Sequence, residues 1–361
     1  MHEAEKSLRA GIPHAGAQRR PDERGTNATM NATRHSTNSR SRRVYIGAAL
    51  CASLAVFAAP AYAAGGHLYQ QVGFAIERFP LVHGIPQSQP DLTIAHYGGL
   101  IAVANDGTVY AMKVSRRGFN GYVIYAFAPG QTTPNRSIVL PHQAPCSLLN
   151  PPVQGLSVDA LGNLFVLIKY SLSGARPLAP VRTRASFPVC LGVAVYSPVA
   201  SGQATPIQAI QVSDYYFGGM AVSSRDDLYV NLYDSAQTDE YVNAVQHPVQ
   251  TRMMPAGLNI AITTDRSGSA YMLDDASGGQ AHLDVFDLSW VSGPPTRTIQ
   301  LPSLFAYPSN AAIRGSFLYV NEMAKSGPGA VGVFEASASG SVNPLGTLNV
   351  DNLEAAMAVG P

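Results

Sequence analysis

One short pattern recurs five times in this chain: an apolar strand, a turn carrying Gly or Asp, and a second strand with an aromatic residue. It reads LIAVANDGTVYAM at 100–112, GLSVDALGNLFVL at 155–167, GMAVSSRDDLYVN at 219–231, NIAITTDRSGSAYML at 259–273 and NAAIRGSFLYVN at 310–321. The aromatic returns as Tyr110, Phe165, Tyr229, Tyr271 and Tyr319. Spacings of about 40–65 residues are those of a repeat architecture, in which each copy is one supersecondary unit that buries its apolar faces only against its neighbours.

The copy at 155–210 shows the whole unit. Apolar alternating runs at 156–158, 164–168 and 193–196 are followed, after the Gly/Pro/Ser-rich turn at 198–206, by a fourth run at 207–210. Runs of this length bounded by turn residues predict one four-stranded antiparallel sheet. The second half recurs elsewhere as VIYAFAPGQTTPNRSIVL, LDVFDLSWVSGPPTRTIQL and VGVFEASASGSVNPLGTL. The unit running through 242–254 matches the pattern worst.

The two ends supply a sixth unit. Residues 356–361, AMAVGP, read like an opening strand and then stop, while Gly66-His67-Leu68-Tyr69 reads like its continuation. Residues 74–80 and 92–95 provide its third and fourth strands. A sheet shared between the two ends closes the array into a ring and removes its open edges. The expectation is an all-β, six-bladed β-propeller of four-stranded antiparallel blades over residues 65–361, at about 50 residues per blade.

Residues 1–64 differ. A polar, basic stretch at 1–43 precedes an Ala-rich apolar run at 44–59 and the small-x-small site Ala61-Tyr62-Ala63. That order is a cleavable export signal. A run of about 16 residues is short for a membrane span, so no stable membrane anchor is expected. Ser41-Arg42-Arg43-Val44-Tyr45-Ile46 resembles the twin-arginine export motif, an ordinary charged leader being the alternative, and Met30 is a second possible start. The expected location is periplasmic or secreted.

Beyond residue 64 the chain carries 15 Lys and Arg against 19 Asp and Glu, a net charge of about −4. With no basic excess to neutralise phosphates, nucleic acid is not an expected partner. Cys146 and Cys190 are the cysteines left after cleavage. In an oxidising compartment an even count favours a disulfide, here closing a loop of about 43 residues; two buried thiols are the alternative.

At this point the chain resembles the six-bladed β-propellers of the NHL-repeat kind, whose repeat reads broadly P-x-G-I-A-V-D-x-x-G-N-L-Y-V. The closest matches are 155–166 and 219–230, and the resemblance spans the mature chain. It implies a fold that hosts scaffolds, ligand binders and enzymes alike. Propellers of this superfamily place the first strand of each blade along a central channel. The repeat puts Gly99, Gly155, Gly219, Asn259, Asn310 and Ala356 at the starts of those strands.

The gluconolactonase and paraoxonase kind hold calcium at the channel mouth with carboxylates and Asn. Asn259 and Asn310 agree in type, but Glu354 and Asp214 stand out of register, and a hard cation needs several convergent oxygens. Streptogramin-lyase-like propellers use a His and Glu pair; His96 precedes a channel strand, yet no H-x-E occurs after the signal. Tyr215-Tyr216-Phe217 precedes another channel strand and offers an aromatic wall or inter-blade packing. Asp265-Arg266-Ser267-Gly268-Ser269 looks faintly like a calcium loop but coincides with the turn of the repeat. Arg176, Arg182 and Arg184 lie in a Pro-rich insertion at 172–189, read as an exposed loop. No G-x-S-x-G, P-loop, H-E-x-x-H or CxxC is present.

The sequence therefore points to an exported binding or interaction module, with no metal and no cofactor. Its recognition surface is expected at the channel mouth near His96, Tyr215, Asn259 and Asn310, for a small molecule, glycan or protein. A lactonase-like hydrolase or a lyase at the same mouth is the alternative.

Overall fold

The computed structural model describes residues 65–115, 118–140, 153–168, 192–212, 219–232, 237–245, 249–255, 259–274, 280–287, 294–305, 308–323 and 328–361. Cys146, Cys190, Tyr215, the insertion at 172–189 and the leader all lie outside the described residues. Among those described, the only helical turn is the 3-10 segment Ser303–Phe305.

The strands form six sheets, antiparallel but for one short parallel pairing at the edge of blade V, and the molecule is a six-bladed β-propeller. Blade I is built from Leu353–Gly360, Gly66–Val72 and Ala75–Val82, with Ile85–Pro86 and Leu92–Ala95 both paired to the last of these. Blade II runs Tyr97–Val103, Val109–Ser115, Gly118–Phe127, Arg136–Val139. Blade III runs Val153–Val158, Leu164–Ile168, Gly192–Tyr196, Gln208–Gln211. Blade IV runs Gly219–Val222, Leu228–Leu232, Gln237–Val242, Val249–Pro255. Blade V runs Asn259–Thr264, Ser269–Asp274, His282–Asp287, Arg297–Gln300, and blade VI runs Pro308–Arg314, Phe317–Glu322, Gly329–Glu335, Gly346–Val350. The first strands touch one another in a closed cycle, so they form the inner wall.

Closure is as expected from the two ends. Tyr69 stands opposite Ala358 and Leu68 opposite Val359 in an antiparallel ladder between Gly66–Val72 and Leu353–Gly360.

The core is six apolar layers, one between each pair of consecutive blades. Leu164, Val166 and Ile168 face blade II, while the alternate residues Phe165 and Leu167 of the same strand face blade IV. A strand covered on both faces has no solvent side, which is why its sequence LFVLI is apolar throughout and buried at every position. On the fourth strands of blades I, II, III and V a single branched aliphatic is buried among the described residues, Ile94, Ile138, Ile210 or Ile299, and that of blade VI buries Leu348 and Val350.

Blade IV departs from the pattern for a physical reason. Its third strand buries Thr238, Asp239 and Glu240 where the others bury aliphatics. The Glu240 carboxylate accepts a 2.7 Å bond from the buried Tyr229 hydroxyl, a partner that makes the burial tolerable.

The inner turns follow one design. Asp159 accepts from the backbone N–H of Leu161 and Asn163, and Asp265 from Ser267 and Ser269, at 2.8–2.9 Å. Asp265, the apparent calcium-loop residue, thus spends its carboxylate on donors of its own turn, and Oδ2 takes the Tyr271 hydroxyl at 3.1 Å. At the left-handed position of this turn stand Gly107, Gly162 and Gly268, and in blade IV Asp226 with φ 63°.

Candidate functional site: the amide cluster at the channel mouth

Strand register decides which residues share the mouth. The residue facing the recurring aromatic is Ala102, Ser157, Ala221, Thr263, Ala312 or Ala358. Counting back two residues gives Leu100, Gly155, Gly219, Ala261, Asn310 and Ala356. The expected equivalence of Gly99 and Asn259 with the others is corrected. In blade II the ladder passes from Gly98 opposite Met112 to Ile101 opposite Ala111, leaving Gly99 and Leu100 in a bulge, and in blade V the turn aspartate places Ala261 in register instead of Asn259. Asn259 pairs with Asp274 and does not stand at the position of Asn310. Anchoring the alignment on the Asp-to-aromatic spacing would have found this, since Asp159 precedes Phe165 by the same interval as Asp265 precedes Tyr271.

Close approach of the inner strands is real where a glycine permits it. A Cβ on Gly219 would lie 2.9 Å from Ile262 N and 3.0 Å from Ala261 Cα, backbone atoms of the next blade.

Around the seam where the ring closes, three side-chain amides converge on the bulged start of the closing strand, and a fourth lies beside them. Gln70 Nε2 donates to Glu354 O at 2.7 Å and to Gln71 O at 3.0 Å. Asn321 Nδ2 donates to Glu354 O at 3.1 Å and Ala355 O at 3.0 Å, while its Oδ1 accepts from Ser309 Oγ at 2.7 Å. Asn310 Nδ2 reaches Ala355 O at 3.2 Å and its Oδ1 accepts from Ala311 N at 2.8 Å. Gln71 turns the other way: its Oε1 accepts from Gly99 N at 2.6 Å and its Nε2 donates to Gly73 O at 2.9 Å. Gln70, Gln71 and Asn321 are buried, whereas Glu354 and Ala355 are exposed.

The cause is local. Between Gln70 and Val72 the ladder to the closing strand skips, so the carbonyls of Glu354 and Ala355 lack strand partners there. Unmet carbonyls at a bulge require other donors, and amides of blades I and VI supply them. Among the described residues Gln70 Oε1 is left buried without a partner.

His96 is exposed and left-handed, with φ 70°, at the corner between blades I and II, and its N–H donates to Phe74 O at 2.7 Å. The structure thus brings Asn310 into the amide cluster and sets His96 at a separate corner. Sequence reading missed Gln70, Gln71 and Asn321. Their signal was present: two residues after the aromatic stands Gln71, Asn231 or Asn321 in blades I, IV and VI, against Met112, Leu167 and Leu273 in the others.

The amide side chains of the cluster are uncharged, and the exposed Glu354 side chain stands beside them. The amide donors meet backbone carbonyls, and among the described residues no three His, Cys, Asp or Glu side chains gather where they could hold a metal ion. What this end offers to hydrogen-bonded recognition is the partly exposed Asn310 beside the exposed Glu354-Ala355 segment.

The sequence matches no protein-family model and no curated protein. Solved structures do match. A chain of a nidogen/laminin complex is 15% identical, with a TM-score of 0.56 over 82% of this chain and 98% of that one. A protein of unknown function from Bacteroides caccae is 10% identical, with a TM-score of 0.52 over the same shares, 82% and 98%. At such low identity the shared property is the propeller architecture itself.

Proposed function

We propose that this chain is an exported propeller of the NHL kind that serves as a binding or interaction module, recognising its partner at the end of the ring where the inner strands begin. The observation that carries the reading is the seam at that end, where Gln70, Asn310 and Asn321 hold the exposed Glu354-Ala355 segment and Asn310 is itself partly exposed. One similar propeller was solved in a nidogen/laminin complex, an assembly of proteins, which agrees with an interaction role. The partner class is a protein, a glycan or an uncharged small molecule with peptide-like donors and acceptors. A thermal-shift panel of small ligands, glycans and metals on residues 65–361 tests it. Stabilisation by uncharged ligands that is lost in Asn310→Ala supports binding at this end; a calcium-dependent rise in Tm with lactone turnover overturns it.

Export and the Cys146–Cys190 bridge belong to the same reading. Amino-terminal sequencing of protein recovered outside the cytoplasm is expected to begin at Ala64, and non-reducing peptide mapping to give one linked pair. An intact leader or two free thiols would refute these parts separately.

A further inference from the structure

We propose that Arg314 and Arg266 form an oxyanion site at the opposite end of the ring, for a ligand bearing a phosphate, sulfate or carboxylate group. The first support is a break in the repeat. Two residues beyond the one facing the aromatic, blades III and V carry the turn aspartates Asp159 and Asp265, and blades II, IV and I carry Ala104, Ser223 and Gly360. Blade VI alone carries an arginine there, Arg314, ahead of a tight turn through Gly315 at φ 59° that has no need of an aspartate cap. A repeat that breaks its own rule without a local structural need marks a place of function.

The second support is a built seat. Gly66 in blade I is buried, and a Cβ there would stand 2.6 Å from Arg314 Nε and 3.0 Å from its Cζ. The glycine leaves room for the guanidinium, which is half-buried. The third is the missing counter-charge. Among the described residues no carboxylate pairs with Arg314, and the neighbouring inner turn, in blade V, carries the exposed Arg266. Burial, with Arg266 adding to it, pulls the Arg314 guanidinium below its usual value, while Tyr319 and Tyr69 oppose the shift. Like charges in adjacent turns, one of them partly desolvated, cost stability, and an oxyanion relieves that cost. A guanidinium fork fits such a group through paired N–H donors.

The experiment is a thermal shift and calorimetric titration of the mature chain with inorganic phosphate, and in parallel with acetate, each against chloride at matched ionic strength below about 20 mM, where general salting effects are small. Phosphate is expected to raise Tm saturably in the parent and to bind at least tenfold more weakly in Arg266→Gln and Arg314→Gln, with Arg314→Lys between them. Acetate acting as strongly as phosphate would assign a carboxylate-bearing ligand. Arg266 is exposed, so its variant tests the site even if Arg314→Gln misfolds. No saturable response in the parent, or an equal one in parent and Arg266→Gln, overturns the proposal.

Discussion

Arg297 donates its Nη2 to the Tyr271 hydroxyl at 2.9 Å, and the same nitrogen reaches the Ala336 carbonyl of the next blade at 2.6 Å. Three blades away the arrangement repeats: Arg136 donates to Tyr110 Oη at 2.7 Å and to the Pro198 carbonyl of blade III. Pro198 and Ala336 both begin the turn that follows the third strand, and each turn returns to the preceding blade. Gly340 pairs with Ile299, and Gly202 bridges Ile138, in parallel. In blades II and V the recurring tyrosine is therefore a staple between blades, and the arginine on the fourth strand is its second half. Burial, with Asp265 adding to it, pushes the Tyr271 hydroxyl up to about 12, against the opposing pull of Arg297, so it remains a neutral donor and acceptor.

Replacing Arg297 with Met is expected to destabilise the propeller by about 1–3 kcal/mol, because it strips a charged donor from two buried acceptors. Arg136→Met is expected to do the same, and the double variant to show additive losses because the two staples share no partner. Denaturant unfolding of the three variants checks this; a neutral pair of single variants would mean that the staples only decorate apolar junctions.

Asn321→Ala is expected to cost about 1–3 kcal/mol by orphaning the carbonyls of Glu354 and Ala355 at the ring seam. Hydrogen exchange should show the loss first as faster exchange in residues 353–360. Asn310→Ala, at a partly exposed position with a single longer bond to Ala355, should cost under about 1 kcal/mol.

Gly219→Ala places a methyl against backbone of the neighbouring blade, which cannot rotate away as a side chain would. A loss of about 1–3 kcal/mol is expected. The control is Gly130→Ala, whose Cβ meets nothing within 4 Å although φ is 73°, so that only conformational strain of about 1 kcal/mol applies. A comparison of Tm values for the two separates packing from strain.

Asp226→Gly is expected to stabilise by about 0.5–1 kcal/mol, since glycine takes the left-handed conformation without a Cβ penalty. Burial chiefly, and then Asp159 and Asp227, push the Asp226 carboxyl above its usual value. The folded state then holds this proton more tightly than the unfolded chain does. The penalty is present when Asp226 is ionised and is relieved as pH falls through its folded value. The advantage of the glycine variant should accordingly shrink on acidification through that window, and a pH series of unfolding free energies measures it; an advantage independent of pH would leave backbone strain as the sole cause.

Sequence by itself determined the architecture. The periodic return of apolar runs, the turn residues and the aromatic fixed six alike sheets, and the strand-like ends fixed how the ring shuts, because alternation and turn chemistry are properties of neighbouring residues. LFVLI at 164–168 was readable as a strand for that reason. What only the tertiary structure decided is register around the axis and the partners of polar groups. Asn259 was misplaced because the first strand of blade V begins two residues before the register position, which the Asp265-to-Tyr271 spacing assigns to Ala261, and the ladder skips between them. Gln70 and Asn321 looked like ordinary strand polar residues; they meet only because residues 284 and 33 positions away, at Glu354, are folded back onto them. Arg314 shows the same limit, since its seat at Gly66 exists only once the two ends of the chain lie in one sheet.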